Sequence, residues 1–483
     1  MADNLKERAA KGILWKFLDH GGAQIIQFIS GIYIARILSP EDYGLVGMLA
    51  IFLGISQMFI DSGFKATLIQ KGKEITQIDY NVVFFFNVLV SVVFYIFIYW
   101  GAPSISEFYN EPRLINVARI LGLNLILMSL GMIHQVIFEK RLNFKTVAKI
   151  RILSTLISVV IGVIASIKGI GVWALVLMMI SESFIKTLFL WLINKWKPTL
   201  NVDISSFKSL FSIGSKLMFA GLLQQISNNI FSLIIGKVFT TADVGFYSQG
   251  RKLQQRIGDA ITFSIQGVLF PVQSLLKDDL PRLKNAVRKN VKISAFISFP
   301  TVIGLVAVAK PFVVVALTEK WLPSVDFIYL LSIAGLFYMI WAGIQSYALP
   351  LKKINYIVRF TAFSNLLLVL IIVVGTLLKF DLKMLVAGKI LQEFIVLIIT
   401  VYFSKKFIDY RMNEVIKDII SSALISIIMG AIIYIIGNQL GISLLSLLLQ
   451  VIFGLGLYLI LSYFFNRTIL IELISFLKKM LKI

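Results

Sequence analysis

Apolar blocks of about 20 residues recur along the chain, and they constrain its fold more than any other feature. An α-helix rises 1.5 Å per residue, so ~20 apolar residues span the hydrocarbon core of a bilayer. One such block continues from near Phe360 through Leu366 to Leu378. The alternating pattern of a membrane β-barrel is absent from the sequence. The chain is therefore predicted to be an all-α integral membrane protein.

The composition excludes several other classes. The 483 residues are 58% hydrophobic and 15% charged, whereas a soluble domain is typically ~45–50% apolar and ~25% charged. The absence of cysteine excludes disulfides and thiolate chemistry, and His20 and His134 do not have metal-ligand spacing. We therefore expect no metal and no cofactor. The first 12 residues are charged and contain no cleavage signal, so the first helix is the expected insertion signal.

The apolar pattern predicts about fourteen membrane helices, of which the first, seventh and eighth are the most polar. Their predicted ranges are 13–38, 43–62, 80–101, 114–136, 150–167, 170–193, 210–238, 244–274, 290–318, 325–347, 358–378, 384–404, 417–437 and 443–465. Lys and Arg concentrate in the connections on one side, which is the cytoplasmic side by the positive-inside rule. This places both termini in the cytoplasm.

The net charge of +22 has the same explanation. In a soluble protein it would suggest nucleic acid, but here it reflects basic cytoplasmic loops, so no nucleic-acid partner is expected. These loops should instead attract anionic headgroups of the lipid bilayer. No predicted connection exceeds about 20 residues, which leaves no room for an extramembrane catalytic domain. We therefore predict that the chain is not an enzyme.

The chain contains an internal repeat, because segment 34–44 is similar to segment 235–245 at an offset of 201 residues. The matched positions include Gln24 with Gln225, Gln27 with Asn228, Arg36 with Lys237, Asp42 with Asp243 and Gly44 with Gly245. Six predicted spans separate the copies, so both have the same orientation. Parallel repeats of this kind form two lobes that face a central cavity and rock to alternate access. The segment 39–42 also has the pattern of a helix N-terminus, with a cap residue, a proline and acids.

Polar residues within the predicted spans indicate a functional site, because a charge at mid-bilayer costs at least ~2.5–3.5 kcal/mol. On the eighth span, Lys252 and Arg256 share one helical face and Arg251 lies beside them. These cations suit an anionic substrate, although an interfacial amphipathic helix is the alternative. The predicted cationic cavity residues are Lys16, Arg119, Lys216, Arg251, Lys252 and Arg256. The predicted polar lining is Gln24, Gln27, Gln225 and Asn228, for which hydrogen bonding between helices is the alternative.

Ion coupling has three candidate residues. Asp19 and His20 are adjacent in the first span, and a histidine can titrate near neutral pH. Asp61 is a further acid in the N-terminal half. Coupling to H⁺ or Na⁺ through these residues is a hypothesis. The alternative for His20 is that it has no functional role in coupling. Glu182 with Lys186 and Lys389 with Glu393 are spaced as intrahelical ion pairs.

Two stretches resemble a known family. They are Leu38-Ser-Pro-Glu-Asp-Tyr-Gly-Leu-Val-Gly-Met and Phe59-Ile-Asp-Ser-Gly-Phe-Lys-Ala-Thr-Leu-Ile-Gln-Lys, and Phe108-Tyr-Asn-Glu-Pro fits the same group. They resemble the bacterial Wzx-type polysaccharide flippases, especially the colanic-acid-exporter branch of the multidrug/oligosaccharidyl-lipid/polysaccharide exporter superfamily. The resemblance covers the whole chain in layout and the first 150 or so residues in detail.

The resemblance implies two six-helix lobes around a central cavity, followed by two C-terminal helices. The corresponding domains are an N-terminal lobe at 1–200, a C-terminal lobe at 201–408 and the extra helices at 409–483. It also implies a flippase of the bacterial inner membrane that moves an undecaprenyl-pyrophosphate-linked oligosaccharide to the periplasmic leaflet for exopolysaccharide, capsule or O-antigen synthesis. A polysaccharide polymerase and a chain-length regulator are potential partners. A cation-coupled multidrug exporter and a membrane glycosyltransferase or polymerase stay open as alternatives.

Overall fold

The computed structural model describes residues 21–71 and 75–480, and these residues form helices and turns without a β-strand. The helices are α1 (21–37), α2 (Pro40–Asp61), α3 (Phe64–Gln70), α4 (Gln77–Tyr109), α5 (Leu114–Lys140), α6 (Phe144–Ile167), α7 (Trp173–Ile193), α8 (Ile204–Val238), α9 (Thr241–Leu275), α10 (Leu280–Phe312), α11 (Ser324–Gln345), α12 (Ile354–Leu377), α13 (Leu382–Ile408), α14 (Met412–Leu440), α15 (Leu444–Phe465) and α16 (Arg467–Met480). A π-helix at Val313–Leu317 continues α10.

Within the described residues, eleven helices are long and apolar enough to cross a membrane. They are α2, α4, α5, α6, α7, α10 with its π-helix, α11, α12, α13, α14 and α15. Five of the described helices are not in this set: α3 and α16 are short, and α1, α8 and α9 correspond to the three predicted spans that are the most polar. The all-α membrane fold is thus confirmed, whereas the count of fourteen spans stays a prediction.

Several helices are longer than predicted. Helix α4 has 33 residues and α8 and α9 have 35 each, which at 1.5 Å per residue exceeds the ~30 Å hydrocarbon core. Helix α10 begins at Leu280 rather than at 290, since the basic residues before the predicted apolar span are also helical. Charged helix ends of this kind project beyond the apolar layer, so hydropathy alone places the boundary too far inward.

The chain packs into two compact units, Met1–Gly245 and Phe246–Ile483. In the first unit, α4 packs on α5, α6 on α7 and α2 on α8. Its core includes Phe64, Phe84 and Leu210. The predicted division at residues 200 and 408 follows the sequence repeat, whereas these units follow the packing. That division therefore stays a prediction.

In the second unit, α10 packs on α14 and α11 packs on α13. Their shared core includes Val291, Ile344 and Val401. Large apolar side chains are exposed in both units, as contact with a bilayer requires; in the first unit Trp100 and Leu192 are 76% and 70% exposed, and in the second Leu366 and Phe464 are 68% and 71% exposed. The predicted ion pair between Lys389 and Glu393 is confirmed, with 2.8 Å between Nζ and Oε1.

Candidate functional site

The two copies of the repeat begin their second helices with the same hydrogen bonds. The hydroxyl of Ser39 accepts from the backbone N–H of Asp42 at 3.3 Å, and the Asp42 carboxylate accepts from the backbone N–H of Ser39 at 3.0 Å. In the second copy, Thr240 and Asp243 form the same reciprocal pair at 3.2 and 3.1 Å. Such a capping box satisfies otherwise unpaired N–H groups at a helix start. The sequence repeat therefore corresponds to a repeated local structure.

The same two helix starts are in direct contact. A Cβ atom added to Gly44 would lie 1.9 Å from the backbone oxygen of Thr241, and one added to Gly245 would lie 1.9 Å from the backbone oxygen of Pro40. Pro40 and Thr241 are themselves matched by the offset of 201 residues. Each copy thus places its glycine against the same backbone position of the other copy, which is the geometry of an isologous contact. We call this contact the glycine joint.

Helix α8 lies antiparallel to α2 over nearly its whole length. Beyond the glycine joint, an added Cβ on Gly54 would lie 3.0 Å from the amide nitrogen of Gln225, and one on Gly221 would lie 2.6 Å from the sulfur of Met58. At the other end of α2, a Cβ added to Gly63 would lie 2.4 Å from the backbone oxygen of Gly214. Small residues let membrane helices approach closely in this way.

A polar cluster covers the glycine joint. Glu111 pairs with Arg113 at 2.7 Å and accepts a hydrogen bond from the Thr241 hydroxyl at 3.1 Å. The hydrogen bond from Arg113 lowers the pKa of Glu111 below its usual value, and partial burial opposes this shift. Nearby, Lys237 donates to the backbone oxygen of Phe108 at 2.8 Å and lies 4.8 Å from the centre of its ring. This cluster was not anticipated from the sequence, although the Phe108-Tyr-Asn-Glu-Pro motif and Lys237 of the repeat both contribute to it.

The predicted polar lining lies on α1 and α8. Gln24 and Gln27 are half-buried on α1, and Gln27 donates to the carboxylate of Glu182 on α7 at 3.3 Å. Gln225 packs over Gly54, and Asn228 accepts from the side chain of Gln224 at 3.0 Å. These contacts are hydrogen bonds and packing between or along helices, which is the alternative that the sequence left open. Their role as cavity lining stays a prediction.

Glu182, which spacing predicted only as an ion-pair partner of Lys186, also accepts hydrogen bonds from other helices. In addition to Gln27, the hydroxyl of Thr155 donates to Glu182 at 2.8 Å. One carboxylate therefore connects α1, α6 and α7. The position of Gln27 could have indicated this contact, because Gln27 lies on a face of α1 that meets α7.

Three of the six predicted cations have described side chains. Arg119 lies on α5, one turn after its start, with its guanidinium 4.5 Å from the ring centre of Tyr99. Arg251 is half-buried on α9 and contacts Tyr247 and Gln255; the amide oxygen of Gln255, when turned toward it, accepts from Nη2 at 3.1 Å and Nε at 3.2 Å. Lys252 is exposed on the same helix.

The other predicted cations are not described. Lys16 lies outside the described residues, and the side chains of Lys216 and Arg256 are not described. The cationic cavity as a whole stays a prediction.

Of the predicted coupling residues, Asp19 and His20 also lie outside the described residues. Asp61 ends α2, and the backbone N–H of Lys65 donates to its carboxylate. Its Oδ1 atom is buried without a hydrogen-bond partner among the described residues. Residues 21–71 and 75–480 contain no cluster of three or more acidic or His side chains that could hold a metal ion. Coupling through Asp61 stays a prediction.

His134 has a structural environment. It is fully buried on α5, 4.5 Å from the ring centre of Trp191 and 5.3 Å from that of Trp196. Neither ring nitrogen has a hydrogen-bond partner among the described residues. His134 therefore packs in the core of the first unit.

Comparisons with known proteins agree with this architecture. Residues 33–326, more than half of the chain, match the family described as "Polysaccharide biosynthesis protein". The teichuronic acid biosynthesis protein TuaB of Bacillus subtilis is 25% identical, with 69% of each chain covered. The lipopolysaccharide biosynthesis protein WzxC of Escherichia coli is 21% identical, with 77% of this chain and 76% of WzxC covered. The solved lipid II flippase MurJ, in an inward closed conformation, has a TM-score of 0.76 at 15% identity, covering 94% of this chain and 99% of MurJ.

The helices and these matches define a multi-pass α-helical membrane protein that shares its fold with the solved flippase. The chain belongs to the polysaccharide biosynthesis protein family. This confirms the resemblance to Wzx-type exporters.

Proposed function

We propose that the protein is a flippase that moves an undecaprenyl-pyrophosphate-linked oligosaccharide from the cytoplasmic to the periplasmic leaflet of the bacterial inner membrane. Both termini then lie in the cytoplasm, and the product feeds the synthesis of an exopolysaccharide, capsule or O-antigen. The observation that carries the proposal is the family match over residues 33–326. The fold shared with the lipid II flippase supports it, since that protein is named as a flippase of a lipid.

The glycine joint supports alternating access as the mechanism. Alternating access requires a contact that closes one side of the protein and separates when the two repeats rock apart. The joint connects the two repeat copies through backbone atoms and glycines. By the predicted topology, it lies on the periplasmic side, so its separation would release the substrate outward.

The chemistry of the proposed substrate explains the basic residues of the ninth helix. A pyrophosphate carries several acceptor oxygens, and an arginine binds such groups through several N–H donors. Arg251 is a described cation that a neighbouring amide, Gln255, holds in place when its oxygen is turned toward the guanidinium. We propose that Arg251 contacts the pyrophosphate, together with the predicted Lys16, Lys216 and Arg256. Movement of H⁺ or Na⁺ through Asp19, His20 or Asp61 is proposed as the driving step.

The test is transbilayer movement of a lipid-linked pyrophosphate oligosaccharide in liposomes that contain the purified protein. We expect transport by the wild type and a loss of about tenfold or more in Arg251→Gln, because a hydrogen bond to a charged group contributes ~1.5–3 kcal/mol. The matched control is Arg282→Gln. The Arg282 side chain is 76% exposed, and Arg282 lies in α10, outside α1, α8 and α9. It should transport at the wild-type rate.

Two outcomes would contradict the proposal. If the wild-type protein moves no lipid but exports cationic dyes, the multidrug exporter is the better description. If the lipid moves but Arg251→Gln and Arg282→Gln transport equally well, the flippase stands and Arg251 does not bind the substrate. Copurification of a polymerase or chain-length regulator would test the proposed partners separately.

A further inference from the structure

A basic cavity lies in the second unit, and its lining residues belong to α10, α15, α16 and the turn before α16. It has a volume of about 470 Å³ and lies between the first half of α10 and the turn that joins α15 to α16. Pockets that bind small molecules have volumes of ~300–1,000 Å³. The cavity is therefore large enough for a phosphorylated headgroup.

The charged side chains that line the cavity are mostly cationic. They are Arg288, Lys289, Lys292 and Arg467, with Glu472 as the acid among the lining residues. The lining thus carries a net charge of +3 from four cations and one carboxylate. Asn285, Asn466 and Thr468 add neutral polar groups, and Ile293, Phe465 and Ile469 add apolar ones. A cavity with this lining would attract an anion.

The cations differ in how fully they are neutralised by protein carboxylates. Arg288 binds Asp418 through Nε and Nη2, both at 2.8 Å, and Lys289 binds Glu472 at 2.8 Å. Lys292 lies 3.3 Å from the Asp418 carboxylate that Arg288 already occupies.

Arg467 forms no ion pair among the described residues, and its guanidinium stacks 5.4 Å from the ring centre of Tyr463. Lys292 and Arg467 therefore keep the most capacity for an external anion. Their side chains are also the natural targets for a test, because neither removal leaves a carboxylate without a partner.

The surroundings of the cavity indicate the level of lipid headgroups. Tyr463, Phe464 and Phe465 end α15 beside the cavity, and they are 51%, 71% and 69% exposed. Exposed aromatic side chains at a helix end are typical of the membrane–water interface. Helix α16 packs Leu470 and Leu473 against α10, α14 and α15 while Glu472 remains exposed, as an interfacial amphipathic helix does.

We propose that this cavity binds the phosphate group of an anionic membrane lipid. The phosphate lies between Lys292 and Arg467, and the acyl chains extend along the exposed aromatic side chains at the end of α15. By the predicted topology the site is in the cytoplasmic leaflet, where anionic lipids interact with basic residues. The bound lipid fixes α16 against α10.

The experiment is lipid binding by the purified full-length chain, measured by native mass spectrometry with phosphatidylglycerol, phosphatidylcholine or inorganic phosphate as the probe. We expect one phosphatidylglycerol to bind more tightly than phosphatidylcholine. In the double variant Lys292→Gln/Arg467→Gln, the apparent Kd should rise by about 30-fold, since each basic residue near an anionic surface contributes ~1 kcal/mol. The readout is binding, so it does not depend on transport.

The matched control is Lys405→Gln/Lys406→Gln, which removes the same charge from exposed positions at the end of α13, on the same predicted side of the membrane. It should bind phosphatidylglycerol like the wild type. Arg467→Gln alone provides a second variant if the double variant unfolds, because this guanidinium has no ion pair to lose.

Three results would overturn the proposal. The first is equal binding of phosphatidylglycerol and phosphatidylcholine by the wild type. The second is wild-type affinity for phosphatidylglycerol in the folded cavity variant. The third is binding of inorganic phosphate with the same affinity as phosphatidylglycerol, which would assign the site to a free anion rather than to a lipid.

Discussion

Replacing Gly44 or Gly245 with alanine should open the glycine joint. The added Cβ would lie 1.9 Å from a backbone oxygen, whereas real Cβ atoms essentially never approach a neighbour closer than 3.0 Å. The backbone must therefore withdraw by more than 1 Å, and a backbone oxygen cannot escape by changing rotamer. Overpacking of this kind costs ~1–3 kcal/mol. If only the closed state carries this cost, the equilibrium shifts toward the open state by about 5–150-fold.

The assay uses the absence of native cysteine, which makes a single introduced cysteine the only thiol. Met48 is 1% exposed, and its side chain would lie 3.1 Å from a Cβ added to Gly236, one turn from the glycine joint. A membrane-impermeant maleimide should label Met48→Cys slowly in the wild-type background. Labelling should be faster with either Gly44→Ala or Gly245→Ala, by similar factors because the contacts are equivalent.

The matched control is Gly31→Ala on α1, where an added Cβ would meet nothing within 4 Å. It should leave the labelling rate unchanged. The reasoning is refuted if the joint variants fold and label no faster than this control. A large difference between Gly44→Ala and Gly245→Ala would refute the equivalence of the two copies.

Three further predictions concern stability, measured by intrinsic tryptophan fluorescence during heating. Asp418→Asn should destabilise the protein by ~3–5 kcal/mol, because it breaks a buried ion pair in which Asp418 is 2% exposed and leaves Arg288 without its main partner. The Arg113 hydrogen bond lowers the pKa of Glu111 in the folded protein below its usual value of about 4.5. The ionised Glu111 should therefore contribute its full stabilisation above pH ~4.5, and this contribution to the free energy of unfolding should be lost as the pH falls through the lowered pKa. His134→Phe should be neutral or stabilising, because the buried imidazole nitrogens form no hydrogen bond with the described residues.

Each of these three predictions has a control. Asp409→Asn removes a carboxylate whose side chain is 62% exposed, and it should change the melting temperature little. Glu111→Gln should remove the acid-dependent part of the stability, and an unchanged pH profile would contradict the role of this carboxylate. His134→Ala should be destabilising because it leaves a cavity between two tryptophans. If His134→Phe destabilises equally, the histidine has a polar role.

The sequence predicted the class of fold and much of the site's local structure for identifiable reasons. Apolar length predicts a membrane helix directly, because the bilayer sets the length and requires the backbone to be paired internally. The offset of 201 residues aligned Gly44 with Gly245, and the structure brings these two positions into one joint. Short motifs near a helix start, such as Ser39 with Asp42, also predict their own hydrogen bonds.

Other features could not be predicted because they depend on which helices become neighbours. Spacing on one helix suggested Lys186 as a partner for Glu182, and it could not indicate that Gln27 and Thr155 donate hydrogen bonds to Glu182 from two other helices. The pair of Arg288 and Asp418 is separated by 130 residues and forms only because α10 packs on α14. Hydropathy likewise gave no indication of the basic cavity, because its residues come from the helical extension of α10 and from the turn before α16.

The glycine joint also determines which of its positions are free to diverge. Each glycine meets a carbonyl oxygen, and every amino acid supplies that oxygen in the same place. The partner position can therefore change its side chain without relieving the crowding, and it is proline in one copy and threonine in the other. No change at Pro40 or Thr241 can compensate for a side chain at Gly245 or Gly44. The two repeat copies can thus diverge in sequence around the joint, while both keep glycine at the position of closest approach.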